Sequence, residues 1–556
     1  MLLRISIVLA LLAIVLIAPF AMRPDTASDS RQSDAERLVI ITPHNESIQS
    51  EFARAFTRHM KQKHARNVFV DWRQPGGTSE IARFLRSEFS TRVETLWEEK
   101  TKLPFRQSTR DDFSNGKLDE QVKAATQQGL LNDLTLLDRN DPEQLALAAR
   151  ALYLHSDIGV GIDLFFGGGA YDFSKQASAG NLVPVDASGK YGPSALAKAH
   201  PEWFSDAIMP EEVSGEPFRD SQFRWLGTVL SSFGICYNSD SLARLGFESG
   251  LSRWDDLADP RLVGQVALAD PTKSGSTTKA FEMLIQERIQ RLQQENGLTE
   301  ADAVRQGWDE SMRLILKISA NSRYFTDSAA KVPRDVALGD AAAGMCIDFY
   351  GRTFNELYRD ENDESHVSFV MPRAGTSIGA DPIGMLRGAT SPELAHRFIE
   401  FVLSRAGQKI WNFRPGSPGG PKRFALRRPP IRKDFYTPEN QAHMTDPDVN
   451  PYEIAEGFTY HPDWTGSQFA ALRFVIRCAC IEPHEEQRAA WKALIDAGMP
   501  AEGLAEFEDV SSISYDVVVS EIDAVMRSKD KVAEIQLARK LASQFRDHYH
   551  HITNTH

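Results

Sequence analysis

The sequence predicts an α/β fold of two lobes, with mostly parallel sheets joined by hinge strands, followed by a mainly helical C-terminal extension. Three observations predict it. Short apolar runs alternate with amphipathic helical patterns through brief polar turns, which is the signature of strand–helix units. Such units fall into two sets along the chain, each ending in turns rich in Gly, Ser and Thr. At 556 residues, 42% of them apolar, the chain is too long for one core and apolar enough to fill two.

In chain order, residues 1–22 come first: Arg4 precedes an almost unbroken apolar run over residues 5–22. That is the pattern of a secretory signal or a single membrane anchor, and it places the chain in the periplasm or cell envelope. Pro19-Phe20-Ala21 is a poor cleavage site, so both readings stand, and the absence of a cysteine after the run excludes a lipoprotein. Residues 23–36 are polar and read as a linker.

The first lobe is expected over residues 37–230 and 372–413. Leu38-Val39-Ile40-Ile41 is a strand that turns at Thr42-Pro43-His44-Asn45-Glu46 into a helix with Ile48, Phe52, Phe56 and Met60 on one face. Val68-Phe69-Val70 is a second strand, broken by Pro75-Gly76-Gly77-Thr78-Ser79 before another helix. A third strand over residues 158–166 ends in Gly167-Gly168-Gly169, and residues 91–156 read as a polar, partly helical insertion. The second lobe, residues 231–371, follows an apolar run over 223–238 read as one long strand. It contains Val266-Ala267-Leu268-Ala269, a turn through Ser274-Gly275-Ser276-Thr277, and a strand over 341–350. Residues 368–371 and 380–386 read as strands returning to the first lobe. The extension, residues 414–556, opens on a Pro/Gly/basic stretch and continues with helical patterning, wrapping the lobes or forming an appended unit.

Composition narrows the function. The net charge of −13 carries no long basic block, which argues against nucleic acid as partner. The four cysteines include no CxxC pair and no zinc-ribbon spacing; Cys478 and Cys480 are one residue apart. Cys236 and Cys346 lie in apolar strand-like runs, as buried thiols or, in an oxidising compartment, as a bridge. There is no H-E-x-x-H, and Thr272-Lys273-Ser274-Gly275-Ser276 lacks the Gly-Lys order of a P-loop.

Three passages resemble a known family, the periplasmic solute-binding proteins of the type 2 fold, in the branch of ferric-ion, polyamine, phosphonate and sugar-phosphate binders. The first runs from Gly234-Ile235-Cys236-Tyr237-Asn238 through Leu245-Gly246 to Trp254-Asp255-Asp256-Leu257 and Asp259-Pro260. The second is Ala269-Asp270-Pro271 with Ser274-Gly275-Ser276, and the third Gly339-Asp340-Ala341-Ala342-Ala343-Gly344. The resemblance spans residues 38–411 and leaves the extension unexplained. It implies a clamp that closes on a small ligand and delivers it to an ABC permease in the inner membrane, and it implies binding in place of catalysis.

Ligands of such sheets gather at the carboxyl ends of the strands. The candidate ligand-binding residues are therefore His44, Asn45 and Glu46; Gly77, Thr78 and Ser79; Gly168 and Gly169; Ser274, Gly275, Ser276 and Thr277; with Ser328, Asp348, Tyr350 and Asp381. Unpaired N–H groups at helix starts favour an anion, and Ser or Thr at such positions also serve as ordinary helix caps. Arg323 is a further cation near Ser328. In ferric-binding members the place of Phe349-Tyr350 resembles a tyrosine pair that binds metal through phenolates. One of the two is missing here, so ferric ion, held by His44, Glu46 and Tyr350, is the weaker alternative to an anion, and no resident cofactor is expected. The rivals are an envelope hydrolase or transferase using Asp270, Asp348 or Tyr350 on a phosphorylated substrate, and a membrane-anchored ligand sensor. The histidines of the C-terminus, His548, His550, His551 and His556, read as a solvated chain end.

Overall fold

In the computed structural model the described residues are 35–362, 364–528 and 530–556. The apolar run at residues 5–22, read as a signal or anchor, lies outside them. Among the described residues no helix is long and apolar enough to cross a membrane.

The first lobe is built on a sheet of strands β1 (Glu36–Ile41), β2 (Val68–Arg73), β3 (Leu164–Phe166) and β4 (Leu182–Val183). A short hairpin, β5 (Glu212–Val213) and β6 (Glu216–Pro217), precedes β7 (Leu226–Ser231). The second lobe holds β8 (Phe233–Asn238), β9 (Val266–Ala269), β10 (Ser322–Thr326), β11 (Ala343–Ile347) and β12 (Val367–Val370), and β13 (Gly379–Leu386) completes the first. The sheet orders are β2-β1-β3-β13-β4, with β7 also on β13, and β10-β9-β11-β8-β12. In both, three parallel strands made by strand–helix units meet an antiparallel strand that arrives from the other lobe.

Three expectations are corrected. The sheets are mixed and not mostly parallel, because β13 runs antiparallel to β3, β4 and β7, and β8 antiparallel to β11 and β12. The apolar run at 223–238 is two strands: the chain leaves the first sheet at Ser231 and enters the second at Phe233. Residues 368–371 do not return to the first lobe; β12 pairs with β8 in the second. The return occurs between Met371 and Gly379, where the Thr376 hydroxyl accepts the Phe233 N–H at 3.2 Å and ties the two crossings together.

Strand β1 is buried on both faces, as a strand covered by helices on each side must be. Leu38 and Ile40 pack with Phe52, Phe56 and Trp411, while Val39 and Ile41 pack with Ile81, Phe89 and Trp97. The insertion at 91–156 supplies that second layer through Phe113, Ala149 and Tyr153. Its Arg150 is buried, donating to the carbonyls of Phe113, Ser178 and Ala179.

The extension is no separate unit. Leu426, Ile431 and Ala455 belong to the first lobe's core, and residues from Phe458 to Ile552 share one core with the second lobe's Trp254, Leu284 and Trp308. All four cysteines are free and buried. Cys236 pairs with Gly344 and Cys346 with Gly234 across the β8–β11 ladder, so the two thiols are diagonal neighbours.

Candidate functional site

Helix α1 (Glu46–His64) follows β1, α2 (Thr78–Thr101) follows β2, α3 (Ala170–Ala179) follows β3, and α4 (Gly275–Asn296) follows β9. Their starts carry the predicted residues. Asn45 caps α1 by accepting the Ile48 N–H at 3.1 Å, and Ser274 caps α4 by accepting the Thr277 N–H at 3.3 Å. Gly77 and Gly169 are the caps of α2 and α3, so the loops there present main chain and not side chains.

These loops meet. The His44 ring stands edge-on to Phe166 and Trp411, and its Nε2 lies 3.3 Å from Asp381 Oδ2. The Gly168 N–H donates to Asp381 Oδ1 at 2.7 Å. Gly168 has φ +120°, and a Cβ there would lie 2.5 Å from Thr78 Cγ2, so only glycine allows the third loop to close on the second. A Cβ on Gly77 would lie 2.9 Å from the Lys273 carbonyl oxygen, which brings a first-lobe loop against a second-lobe loop. A Cβ on Gly275 would lie 3.2 Å from Asp172 Oδ2, again across the lobes, whereas one on Gly169 would meet nothing within 4 Å. Ser79 and Thr277 are buried, Ser276 is half-buried, and Ser79 Oγ has no hydrogen-bond partner among the described residues.

Sequence reasoning missed two arginines that the extension sends to this junction. Arg428, 2% exposed, places Nη2 2.5 Å from Asp381 Oδ2 and stacks 4.3 Å from the Phe349 ring of the second lobe. Burial alone would raise the Asp381 carboxyl; the Arg428 guanidinium, with His44, outweighs burial and holds it far below the usual carboxylate range. Burial lowers the His44 pKa despite Asp381, and Nδ1 of that ring is buried without a partner. Arg473, in the helix Phe469–Ile476, donates from Nε to Thr278 Oγ1 at 2.8 Å, while its Nη2 is buried without a partner among the described residues. The only available signal was the basic, proline-rich run around Arg428; nothing in the helical pattern marked Arg473.

Other predicted residues lie elsewhere. Ser328 follows β10, an edge strand of the second sheet, and accepts the Ala330 N–H. Arg323 is exposed and donates to the Asp340 carbonyl, so it stands apart from the junction. Asp348, 2% exposed, is paired with Arg352 at the crossing strands, near Ser232, Met371 and Pro429. The candidate metal ligands His44, Glu46 and Tyr350 sit in different surroundings. His44 faces Asp381, Glu46 is exposed, and burial pushes Tyr350 up to about 12, which disfavours a phenolate. Among the described residues no three His, Cys, Asp or Glu side chains converge as a metal site. The terminal helix Lys531–Thr555 is ordered structure and no solvated tail, with His548 on the Glu506 carbonyl.

Gly375-Thr376-Ser377-Ile378-Gly379 has the spacing of a hydrolase nucleophile elbow, which corrects the expectation that the sequence offers no such motif. Ser377 is 1% exposed, precedes a strand and not a helix, and donates to Glu216 Oε1 at 2.5 Å. A buried hinge serine bound to a carboxylate is a structural joint.

With this geometry in place, likeness to known proteins is informative. An uncharacterized protein of Haemophilus influenzae is 24% identical over 248 residues, 45% of this chain and 60% of that one. The phosphoglycerate transport regulatory protein PgtC of Salmonella typhimurium is 23% identical over 186 residues, 33% of this chain and 40% of its own. A putrescine/cadaverine-binding protein of Pseudomonas aeruginosa is 25% identical over 186 residues, 30% and 44%. The chain thus spans three fifths or less of the length of these relatives. Among solved structures, the periplasmic binding protein AfuA of Actinobacillus pleuropneumoniae aligns with a TM-score of 0.42 at 18% identity, covering 67% of this chain and 81% of that one. Iron-bound HitA of Pseudomonas aeruginosa aligns with a TM-score of 0.41 at 15% identity, covering 79% and 98%. The family model described as bacterial extracellular solute-binding protein matches residues 157–436, which runs from β3 through the whole second lobe, back to β13 and on to the Arg428 segment. With half of its length matched across both crossings of the hinge, the chain belongs to the bacterial extracellular solute-binding proteins.

Proposed function

We propose that this chain is the solute-binding component of an ABC-type importer. In this reading it works in the cell envelope, closes its two lobes about the crossing strands on a small anionic solute, and presents that solute to a permease of the inner membrane. The observation that carries the reading is the meeting of helix starts from both lobes, at Gly77, Gly169 and Ser274, where main-chain N–H groups and the positive ends of helices favour negative charge.

Of the relatives, PgtC is named for an anion and the Pseudomonas protein for dications. Asp381 is already paired with Arg428 and His44 and so offers little free charge to a cation, which supports the anion. Binding calls for no reaction, and the work of the site is differential affinity between an open and a closed form.

The test is a thermal-shift and calorimetric panel on the purified chain with inorganic phosphate, phosphate esters, dicarboxylates, diamines and ferric citrate. A ligand at 100 times its Kd stabilises the folded state by about 2.7 kcal/mol. Stabilisation by an anion, recovered unchanged afterwards, is the expected result. Stabilisation by a diamine or ferric ion alone overturns the anion, and conversion of a bound compound overturns the importer reading.

A further inference from the structure

We infer that Arg473, carried by the extension beyond the segment that the family model matches, is the residue that grips the ligand's phosphate or carboxylate group, at a subsite shared with the first turn of α4. This rests on the anion reading above and adds the residue that enforces it.

The guanidinium is held in place before any ligand arrives. Its Nε is anchored on Thr278 Oγ1, and its plane lies 4.8 Å from the Phe469 ring and 5.9 Å from the Tyr171 ring. A second donor, Nη2, lies beside the start of α4: a Cβ on Gly275 would lie 3.4 Å from it. That nitrogen is buried and has no partner among the described residues, and a buried donor left unpaired is costly. A second buried group without a partner, the hydroxyl of Ser79, 7% exposed, stands on the first turn of α2, whose cap Gly77 abuts Lys273 two residues before Gly275. An oxyanion at the start of α4 satisfies the Arg473 donor, and Arg is the side chain best shaped for carboxylate and phosphate.

One group already faces this place. Asp172, 7% exposed on α3 of the first lobe, brings Oδ2 close to Gly275. Its carboxyl is raised by burial, against the pull of Arg473, Arg83 and Lys175, while burial pushes Tyr171 up to about 12. Asp172 sets a carboxyl opposite the helix start and Arg473, one that burial makes easier to protonate, and an arriving phosphate or carboxylate takes its place. The two residues should then act in opposite directions: Arg473 attracts the ligand and Asp172 competes with it.

The experiment measures binding of inorganic phosphate, glycerol phosphate and succinate to the full chain and to its Arg473→Gln, Arg473→Lys and Asp172→Asn variants, with unliganded melting as control. The phosphate and carboxylate arms separate the two ligand sources. Arg473→Gln is expected to weaken the anion that binds by about 10–100-fold, Arg473→Lys by less, and Asp172→Asn to tighten it. If Arg473→Gln does not fold, Thr278→Val, which removes only the anchor, must weaken binding by itself. Equal affinity in wild type, Arg473→Gln and Arg473→Lys overturns the inference and leaves the importer reading intact, as does an Asp172→Asn variant weakened as much as Arg473→Gln, which marks a structural ion pair. Wild-type protein that binds none of the three anions, yet binds a diamine or ferric citrate, overturns the anion reading itself.

Discussion

Arg428 and Asp381 join the extension to the return strand: a guanidinium from beyond the second lobe lies 2.5 Å from the carboxylate of β13, and both side chains are nearly sealed from water, at 2% and 10% exposure. Removing one partner of a buried pair strands the other, at a cost of about 3–5 kcal/mol. Arg428→Ala should lose that much in urea unfolding, and the Arg428→Met, Asp381→Asn double variant should lose much less. Equal losses in the two would show that packing against Phe349 and Trp411, and not charge, is what Arg428 contributes.

His44 gives this pair a pH signature. Burial lowers its folded pKa below the unfolded value of about 6.5. A depressed folded pKa contributes stability that is present above the unfolded pKa and is lost as pH falls through the folded one. Unfolding free energy should therefore decline as pH drops from 7 towards 5, and His44→Gln should flatten that slope. Burial keeps the imidazole neutral, and Arg428 adds to it while Asp381 pulls towards protonation, so Arg428→Met should raise the His44 pKa in an NMR titration. An unmoved titration would show that the guanidinium does not act on this ring.

How much of this was legible follows from the range of each interaction. His44, Gly77, Gly168 and Ser274 were readable because a strand–turn–helix unit is local, and small residues at its turn follow from caps and close approach. Strand direction was not readable. The run at 368–371 looks like any short apolar strand, and its assignment to the second sheet comes from pairing with β8, about 130 residues earlier. Arg428 and Arg473 were invisible for the same reason: each meets its partner far along the chain, and neither lies in a pattern that a helix cap or a strand end requires.

Lys279 marks a second joint that no motif announces. Its ammonium lies 2.9 Å from Glu216 of β6 and 2.9 Å from Glu282, and 3.4 Å from the Tyr460 ring centre, tying the first lobe, α4 and the extension at one point. Glu282 also accepts from Tyr460 and Thr465. Lys279→Met leaves two buried carboxylates without a counter-charge and should cost about 3–5 kcal/mol. Adding Glu216→Gln and Glu282→Gln should recover most of the loss. A triple variant no more stable than Lys279→Met would place the contribution in the shape of the lysine and not in its charge.

Gly77 and Gly169 separate folding from closure. Both have negative φ, −72° and −109°, so alanine is tolerated by the backbone at either place. A methyl at Gly169 meets nothing within 4 Å, whereas one at Gly77 meets the Lys273 carbonyl of the other lobe at 2.9 Å. In the unliganded protein, free to open, each substitution should change stability by less than about 1 kcal/mol, with a small gain from the stiffer unfolded chain. Binding should distinguish them. Gly77→Ala holds the two loops apart and should weaken the solute by about tenfold, since even about 1.4 kcal/mol of hindrance to the closed form is that large. Gly169→Ala should weaken it only if the solute itself rests against that open main chain, as the anion site at the start of α3 requires. A Gly77→Ala variant that binds as tightly as wild type would mean that the lobes do not meet at Lys273 when solute is held, and the clamp would have to close about a different pair of loops.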